Sequence, residues 1–384
     1  MKKTYCLFSV AGLFLLTSCD VKPSRGPMVS SPAAVVGEEE AMGPVPKELP
    51  KAPLDVPVPK ALASTHNGTD LSKEDTDELA SLAREAASRD DYKTALAAQF
   101  WAVKKGNDGL YDLACYYARN QLHDEAFYWL QQASLTEGVD AQHASTDSDL
   151  QTLRRDPRYT EVAKFLRQCS AYWSHSDKKQ TLVYLPQGFD KSKPSPVVIT
   201  LHGRGSRPDH FFGAATQEMA NENKLPFICV SGTKPTGPKS FVWSDSAREN
   251  ANRIDAAIKE VEDRIKIAPG RIIAIGFSEG AQVALEVAAR DPDRFAGAIG
   301  MSPGADFHLN QVQPAPALKT RRFVVTIGGK EHPGNVALAR QDRDWFQKAG
   351  VQVQHITFPG VGHMLPRDFD ERFPKWVEFI LSGK

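Results

Sequence analysis

The feature that most constrains this chain is an abrupt change from strand pattern to helix pattern at Ser278. The run Ile272 to Phe277 is apolar and rich in β-branched residues, which is typical of a strand buried on both faces. Helical spacing of small and apolar residues follows, at Ala281, Ala284, Leu285 and Ala288. Gly276 and Gly280 flank the serine where side chains would collide with neighbouring backbone. The pattern predicts a sharp, strained turn that presents the serine.

Composition limits the classes of function that the rest of the chain can support. Glycine and serine are common residues, so a Gly-x-Ser-x-Gly pattern also arises by chance, and its interpretation depends on partners elsewhere. The chain has 384 residues, long enough for two or three folded units. Its 47 basic and 47 acidic residues balance, and no strong basic cluster appears, which argues against a nucleic-acid partner.

The first residues have the pattern of an export signal. Lys2 and Lys3 precede a short apolar run from Leu7 to Leu16, and the segment ends Leu-Thr-Ser-Cys at Cys19. This ending resembles a bacterial lipobox. The resemblance implies that residues 1–19 are a lipoprotein signal with its lipobox, that cleavage occurs before Cys19, and that this cysteine is lipidated. The protein would then be lipid-anchored in the bacterial cell envelope, periplasmic or on the outer face. The alternative is an ordinary secretory signal in which the cysteine is incidental.

Residues 20–70 are predicted to be a disordered linker. Nine prolines between positions 23 and 59 alternate with small and charged residues, and no apolar period appears. Such a segment buries too little surface to offset its ordering entropy, so an extended spacer is expected.

Residues 71–169 carry helical patterns. Ser72-Lys-Glu-Asp75 resembles a capping box that begins the first helix, and apolar positions then repeat at an offset of about 31 residues. The segments from Leu113 to Ala118 and from Asp124 to Leu130 resemble the tetratricopeptide repeat. The resemblance implies a small all-α domain with a groove for a protein partner. The alternative is a helical cap that only stabilises the neighbouring domain.

The cysteines give no sign of a metal site or a disulfide framework. Cys115, Cys169 and Cys229 remain after removal of the leader, and they lack metal-ligand spacing. Cys115 and Cys229 lie in apolar runs that predict small core residues, and one pairing stays open. No metal and no cofactor are predicted.

From residue 170 to residue 384 strand patterns alternate with helix patterns. This order specifies a doubly wound, mostly parallel sheet with helices on both faces. In such a sheet active groups gather beyond the carboxyl ends of the strands. Four segments follow strand patterns in this way, at His202 to Gly205, Ser278, Glu331 and His363.

These four segments resemble the α/β-hydrolase fold, in which serine, acid and histidine occur in this chain order. The entry Tyr184-Leu-Pro-Gln-Gly-Phe-Asp190 and the Gly-Phe-Ser-Glu-Gly turn are similar to those of carboxylesterases, phospholipases and polyhydroxyalkanoate-depolymerase-like esterases. The resemblance implies that Ser278 is the nucleophile and His363 the base that activates it. Glu331 occupies the place of the acid that orients the histidine, with Asp306 as the alternative.

The same resemblance assigns two backbone N–H groups to the developing oxyanion. The amide of Glu279 directly follows the serine, and the amide of Arg204 lies in the loop after a central strand. His202 is expected to brace that loop. The expected function is hydrolysis of small-molecule or polymer carboxylic esters through an acyl-serine intermediate. A serine peptidase of the same fold and a non-catalytic partner-binding lipoprotein remain as alternatives.

Overall fold

The computed structural model describes residues 45–176, 178–306, 308–366 and 368–383. The predicted signal segment 1–19, its Cys19 and the first part of the predicted linker lie outside these residues. Within the described part, no helix is long and apolar enough to span a membrane.

Residues 45–70 differ from the predicted disordered linker because their apolar side chains have a surface to pack on. Leu49, Leu54 and Leu62 contact the helical core that follows in the chain. The Leu54 N–H donates to Gln131 Oε1 at 2.9 Å, and Gln131 Nε2 donates to the Leu54 carbonyl at 3.2 Å. A short hairpin, β1 (Thr65–His66) and β2 (Thr69–Asp70), follows. Sequence periodicity could not show this contact because isolated leucines on an extended strap have no period.

The next segment folds into a helical module, defined here as residues 76–174. Its α-helices are α1 (Thr76–Ala87), α2 (Tyr92–Lys104), α3 (Leu110–Arg119), α4 (His123–Thr136), α5 (Ala141–Thr146) and α6 (Tyr159–Ser174). Helices α1 and α2 pack together, as do α3 and α4, through fully buried alanines: Ala83, Ala86, Ala95, Ala98, Ala114, Ala118, Ala126 and Ala133. The small side chains let the helix axes approach closely.

The start of α1 differs from the prediction of a capping box at Ser72. The helix begins at Thr76, and Asp75 is its N-cap, with a carboxylate oxygen that accepts the Asp77 N–H at 2.8 Å. Ser72 instead donates its hydroxyl to Asp70 at 2.6 Å. The carboxylate at the fourth position of the pattern therefore caps the helix itself.

Residues 181–381 form a seven-stranded sheet with helices on both faces. The sheet strands are β3 (Thr181–Tyr184), β4 (Ser195–Leu201), β5 (Phe227–Val230), β8 (Ile267–Phe277), β9 (Phe295–Met301), β10 (Arg322–Gly328) and β11 (Gln352–Phe358). A two-stranded ribbon, β6 (Lys234–Pro235) and β7 (Phe241–Val242), lies between β5 and β8 in the chain. The helices are α7 (Thr216–Asn223), α8 (Ala247–Lys259), α9 (Glu279–Arg290), α10 (Pro333–Lys348) and α11 (Phe369–Leu381).

The order of the strands in the sheet is β11-β10-β9-β8-β4-β5-β3. All neighbouring pairs are parallel except β3 with β5. Helices α8, α9 and α10 cover one face, and α7 and α11 cover the other. The predicted doubly wound, mostly parallel sheet is therefore present. Strand β8 lies at its centre, and β4, β9, β10 and β11 end at the same edge.

The three remaining cysteines, Cys115, Cys169 and Cys229, are buried and free in the described structure. Burial raises the pKa of the Cys169 thiol to about 11 and that of the Cys229 thiol to about 12. These thiols are therefore core residues that stay protonated near neutral pH.

Replacing Gln131 by alanine should loosen the strap formed by residues 45–64. The substitution removes both partners of the Leu54 backbone, which should lower the unfolding free energy by about 1–2 kcal/mol. Gln132→Ala, one position along α4, is the matched control because the Gln132 side chain makes no hydrogen bond to other described residues. Thermal unfolding and limited proteolysis would measure both variants. Equal stability and equal cleavage of the two would contradict the role given to Gln131.

Candidate active site

Ser278 lies in a strained turn between β8 and α9. Its φ of 55° and ψ of −122° are rare for a residue with a side chain. A Cβ at Gly276 would lie 2.0 Å from the Gly280 carbonyl oxygen, and one at Gly280 would lie 2.2 Å from that of Leu201. Glycine at both positions is thus required by close backbone contact. The Ser278 N–H donates to the Met301 carbonyl at 3.0 Å, which ties the turn to the neighbouring strand.

The loop after β4 lies directly beside this serine. A Cβ at Gly203 would be 3.3 Å from Ser278 Cβ. His202 braces the loop: its Nε2 accepts the Gly232 N–H at 2.9 Å, so its Nδ1 carries the proton and donates to the Gly203 carbonyl at 2.7 Å. Burial lowers the pKa of His202 to about 4, which keeps the ring neutral. His202 is therefore a structural residue of the loop.

Two backbone N–H groups near Ser278 are left without an acceptor. They belong to Arg204, two residues after His202, and to Glu279, the first residue of α9. Among the described residues, neither N–H donates to a backbone or side-chain oxygen. The first amides of a helix have no partner within the helix, and the helix dipole favours negative charge there. The Glu279 amide at the start of α9 therefore favours an anionic partner, and the Arg204 amide is likewise without an acceptor in the described structure.

His363 and Glu331 meet at the ends of β11 and β10. His363 Nδ1 lies 2.8 Å from Glu331 Oε2. The ring of His363 also packs against Phe277, the residue before Ser278, with the two ring centroids 4.7 Å apart. The carboxylate is buried, while the imidazole is 40% exposed. With Nδ1 bonded to Glu331, Nε2 is the ring nitrogen that remains to accept a proton.

Further donors hold Glu331 in place. Its Oε1 accepts the backbone N–H of His332 at 3.0 Å and the Asn335 side-chain amide at 3.1 Å. Burial raises the pKa of the Glu331 carboxyl, but the hydrogen bond and the charge of His363, together with these donors, lower it to below its ordinary value. The carboxylate is therefore ionised near neutral pH and can stabilise a positive charge on the imidazole.

Asp306, the alternative acid, is not paired with His363 in the described structure. It is exposed on the loop after β9, and no hydrogen bond joins it to His363 among the described residues. Within the same set of residues, Ser278 Oγ makes no hydrogen bond to the His363 ring. Such bonds often tighten only when substrate binds.

The structure adds contacts that the sequence pattern did not indicate. The side chains of Arg204 and Glu279, named above only for their amides, form an ion pair at 2.6 Å. Asn335 follows Glu331 by four residues, a spacing that brings it back to the carboxylate at the start of α10. No group of three or more His, Cys, Asp or Glu side chains in the described structure could hold a metal ion.

Part of this chain is similar to known proteins. Residues 189–379 match the family model of phospholipases and carboxylesterases. The sheet has the α/β-hydrolase fold.

Two curated relatives match over about a third of the chain. NocK of Nocardia uniformis subsp. tsuyamanensis, a candidate esterase, is 36% identical over 149 residues, which cover 35% of this chain and 39% of NocK. Poly(3-hydroxyalkanoate) depolymerase C of Paucimonas lemoignei is 27% identical over 147 residues, which cover 36% of this chain and 34% of the depolymerase. A solved Bacillus cereus carboxylesterase is 19% identical, with a TM-score of 0.42, over 55% of this chain and 99% of that chain.

A buried carboxyl on α10, that of Asp342, is hydrogen-bonded to α9, the helix that begins directly after Ser278. Gln282, one turn into α9, donates to Asp342 Oδ2 at 2.7 Å and accepts the His308 N–H at 3.1 Å. Asp342 is fully buried, and burial raises its pKa from 3.8 to about 8, although the bond from Gln282 opposes the shift. The folded protein therefore keeps a proton on Asp342 that the unfolded chain loses well below neutral pH.

Replacing Asp342 by asparagine should change how stability depends on pH. Because the folded state holds one more proton than the unfolded state between about pH 4 and pH 8, the wild type loses stability as pH rises through that window. Asparagine keeps the oxygen that accepts from Gln282 and does not ionise. The advantage of Asp342→Asn over wild type should therefore grow from pH 5 to pH 8, measured by thermal unfolding. Asp344→Asn, on the exposed side of α10, is the control, and a difference that stays constant with pH would contradict the assignment.

Proposed function

We propose that this protein hydrolyses carboxylic esters in two steps, through an acyl intermediate on Ser278. The observation that carries the proposal is the hydrogen bond between the buried Glu331 carboxylate and His363, whose ring packs against the residue preceding a strained serine. A lone serine in a strained turn has no base to activate it. A histidine oriented by a carboxylate supplies that base.

In the first step Ser278 Oγ attacks the carbonyl carbon of the ester. Its proton passes to His363 Nε2, since Nδ1 already donates to Glu331. The carbonyl oxygen becomes an oxyanion and accepts from the Arg204 and Glu279 amides. When the tetrahedral intermediate collapses, the bond to the alcohol breaks and His363 returns the proton to the leaving oxygen.

In the second step water attacks the acyl-enzyme in the same geometry. His363 takes one proton from the water, the carboxylic acid leaves, and the proton returns to Ser278. Glu331 stays ionised throughout and stabilises the imidazolium that forms twice per cycle. The sequence resemblance to an alkanoate-polymer depolymerase and to a candidate esterase supports a small-molecule or polymer ester as substrate.

The proposal predicts that Ser278→Ala lowers kcat for a short-chain aryl ester by about 10⁴- to 10⁶-fold. The variant should unfold at the wild-type temperature or above, since it removes one hydroxyl without a hydrogen-bond partner in the described structure. A fluorophosphonate probe should label the wild type and leave the variant unlabelled. Undiminished turnover by Ser278→Ala would refute the acyl-serine mechanism, and appreciable cleavage of a matched amide or peptide would favour a peptidase.

The same assay distinguishes the two candidate acids. Glu331→Gln should lower kcat by about 10²- to 10⁴-fold, because the amide cannot stabilise an imidazolium. Asp306→Asn is the matched substitution and should stay close to wild type, since Asp306 is exposed and makes no hydrogen bond to His363 among the described residues. The reverse ranking would transfer the role to Asp306.

We also propose that the protein is tethered to a membrane of the bacterial envelope through a lipid on Cys19. The Leu-Thr-Ser-Cys segment after an apolar run supports this. The variant Cys19→Ala should lose metabolic labelling by a fatty-acid analogue and leave the membrane fraction. Labelling of that variant equal to wild type would show that the cysteine is incidental.

We further propose that the helical module has a tetratricopeptide-like fold. Its helices form successive packed pairs with buried alanines at their contacts, which supports this. We propose that it also offers a surface to a protein partner. Asp108 and Asp140 of the module also form ion pairs with residues 181–381, the hydrolase part of the protein.

A further inference from the structure

One side chain connects the two proposed oxyanion donors to the helical module. The Arg204 guanidinium pairs with Glu279 Oε1 at 2.6 Å through one nitrogen, and with Asp140 Oδ2 at 2.7 Å through the other. Arg204 and Glu279 are the residues whose amides are the proposed oxyanion donors. Asp140 belongs to the helical module, immediately before α5. A residue remote in sequence thus bonds directly to the side chains beside the catalytic turn.

Buried hydrogen bonds connect the Glu279 end of the Asp140–Arg204–Glu279 ion pairs back to the loop that contains Arg204. Glu279 Oε2 accepts the Trp243 N–H at 3.1 Å, and the Trp243 indole donates to the His202 carbonyl at 2.9 Å. His202 begins the loop that contains Arg204. The side chain of Glu279 is 4% exposed, so its charge requires the guanidinium as a partner. Movement of Arg204 would therefore affect both ends of the oxyanion site.

Asp140 is itself held in one orientation. Its Oδ1 caps α5 by accepting the Gln142 N–H at 3.0 Å, which leaves Oδ2 for Arg204. The preceding turn fixes its position against the ribbon: a Cβ on Gly237 would lie 2.0 Å from the Cα of Gly138. The Lys239 N–H donates to the Glu137 carbonyl at 2.9 Å in the same place. Backbone contact this close fixes where the Asp140 carboxylate can lie.

A second contact of the module reaches the other side of the site. A Cβ on Gly362, the residue before His363, would lie 3.6 Å from Cβ of Ser88 at the end of α1. The module therefore contacts the loop before His363, the proposed base, as well as the loop that contains Arg204. A detachable binding domain would have no need of contacts at both catalytic loops.

We propose that Asp140 is a positioning residue for ester hydrolysis. Through Arg204 it sets the placement of the Arg204 and Glu279 amides, so that the helical module completes the oxyanion site. This inference rests on the proposed function. The carboxylate acts on the transition state only by holding the donors, since it contacts Arg204 and its own helix. Its loss should therefore reduce kcat more than it changes KM.

The variant Asp140→Asn tests this with little disturbance of the module. Asparagine caps a helix as well as aspartate does, so α5 keeps its cap while Arg204 loses its ionic partner. Small displacements of catalytic groups cost up to about 100-fold in rate, so we expect kcat for the aryl ester to fall by about 10- to 100-fold. KM should stay within about threefold of wild type, because ground-state binding does not depend on the oxyanion. Asp140→Glu, which keeps a carboxylate at this position, should have a kcat between those of Asp140→Asn and the wild type.

Asp108→Asn is the matched control for docking of the module. Asp108 lies between α2 and α3 and pairs with Arg207 at 2.6 Å and with Lys239 at 2.8 Å. It holds the module to the hydrolase part but does not contact Arg204. This control should lower the unfolding temperature and leave kcat within about twofold. An equal fall of kcat in both variants would mean that Asp140 acts only through docking, which would overturn the inference.

A double-mutant cycle with Arg204→Met checks the route of the effect. If Asp140 acts through Arg204, then Asp140→Asn should change kcat little in the Arg204→Met background. Additive losses, or wild-type kcat in Asp140→Asn alone, would overturn the inference while the Ser278→Ala result still stands. Absence of ester turnover in the wild-type protein would instead refute the proposed function and this inference with it.

Discussion

The site depends on one constraint, the close approach of backbone around Ser278. The turn is possible only because Gly276 and Gly280 lack side chains, and its strain is held by the hydrogen bond from Ser278 to the neighbouring strand. Placing β8 at the centre of the sheet makes the loops after β4, β9, β10 and β11 converge on this point. The seven-stranded sheet thus serves as a rigid frame on which a strained serine and its partners can be held.

Charge around this frame is arranged in two pairs, each with a buried carboxylate. Glu331 is paired with His363, and in the proposed mechanism its ionised carboxylate stabilises the imidazole once that ring has taken a proton. Glu279 is paired with Arg204, and this second pair extends to Asp140 of the helical module. Burial of a carboxylate is costly without a partner, so each pair fixes the loop that carries it. The helical module is thus joined by ion pairs to the side chains of Arg204 and Glu279, next to Ser278.

Much of the hydrolase part could be predicted from the sequence, because parallel strands buried on both faces give long apolar runs. The order of the strands and helices, and the four strand ends at His202, Ser278, Glu331 and His363, follow from that pattern. The strap formed by residues 45–64 was predicted as a disordered linker, since its prolines and isolated leucines show no period. The helix start predicted at Ser72 lies at Thr76, because Asp75 provides the cap.

The sequence by itself determined the turn at Ser278, since the glycines at fixed spacing and the switch of apolar period are local features. It left two acids open, because a triad is set by distances between residues far apart in the chain. Tertiary structure placed Glu331 at 2.8 Å from His363 and left Asp306 exposed. Only tertiary structure brought Asp140 to Arg204, across a sequence separation of 64 residues. No pattern in the sequence encodes that contact, because it depends on how the helical module packs against the sheet part of the same compact unit.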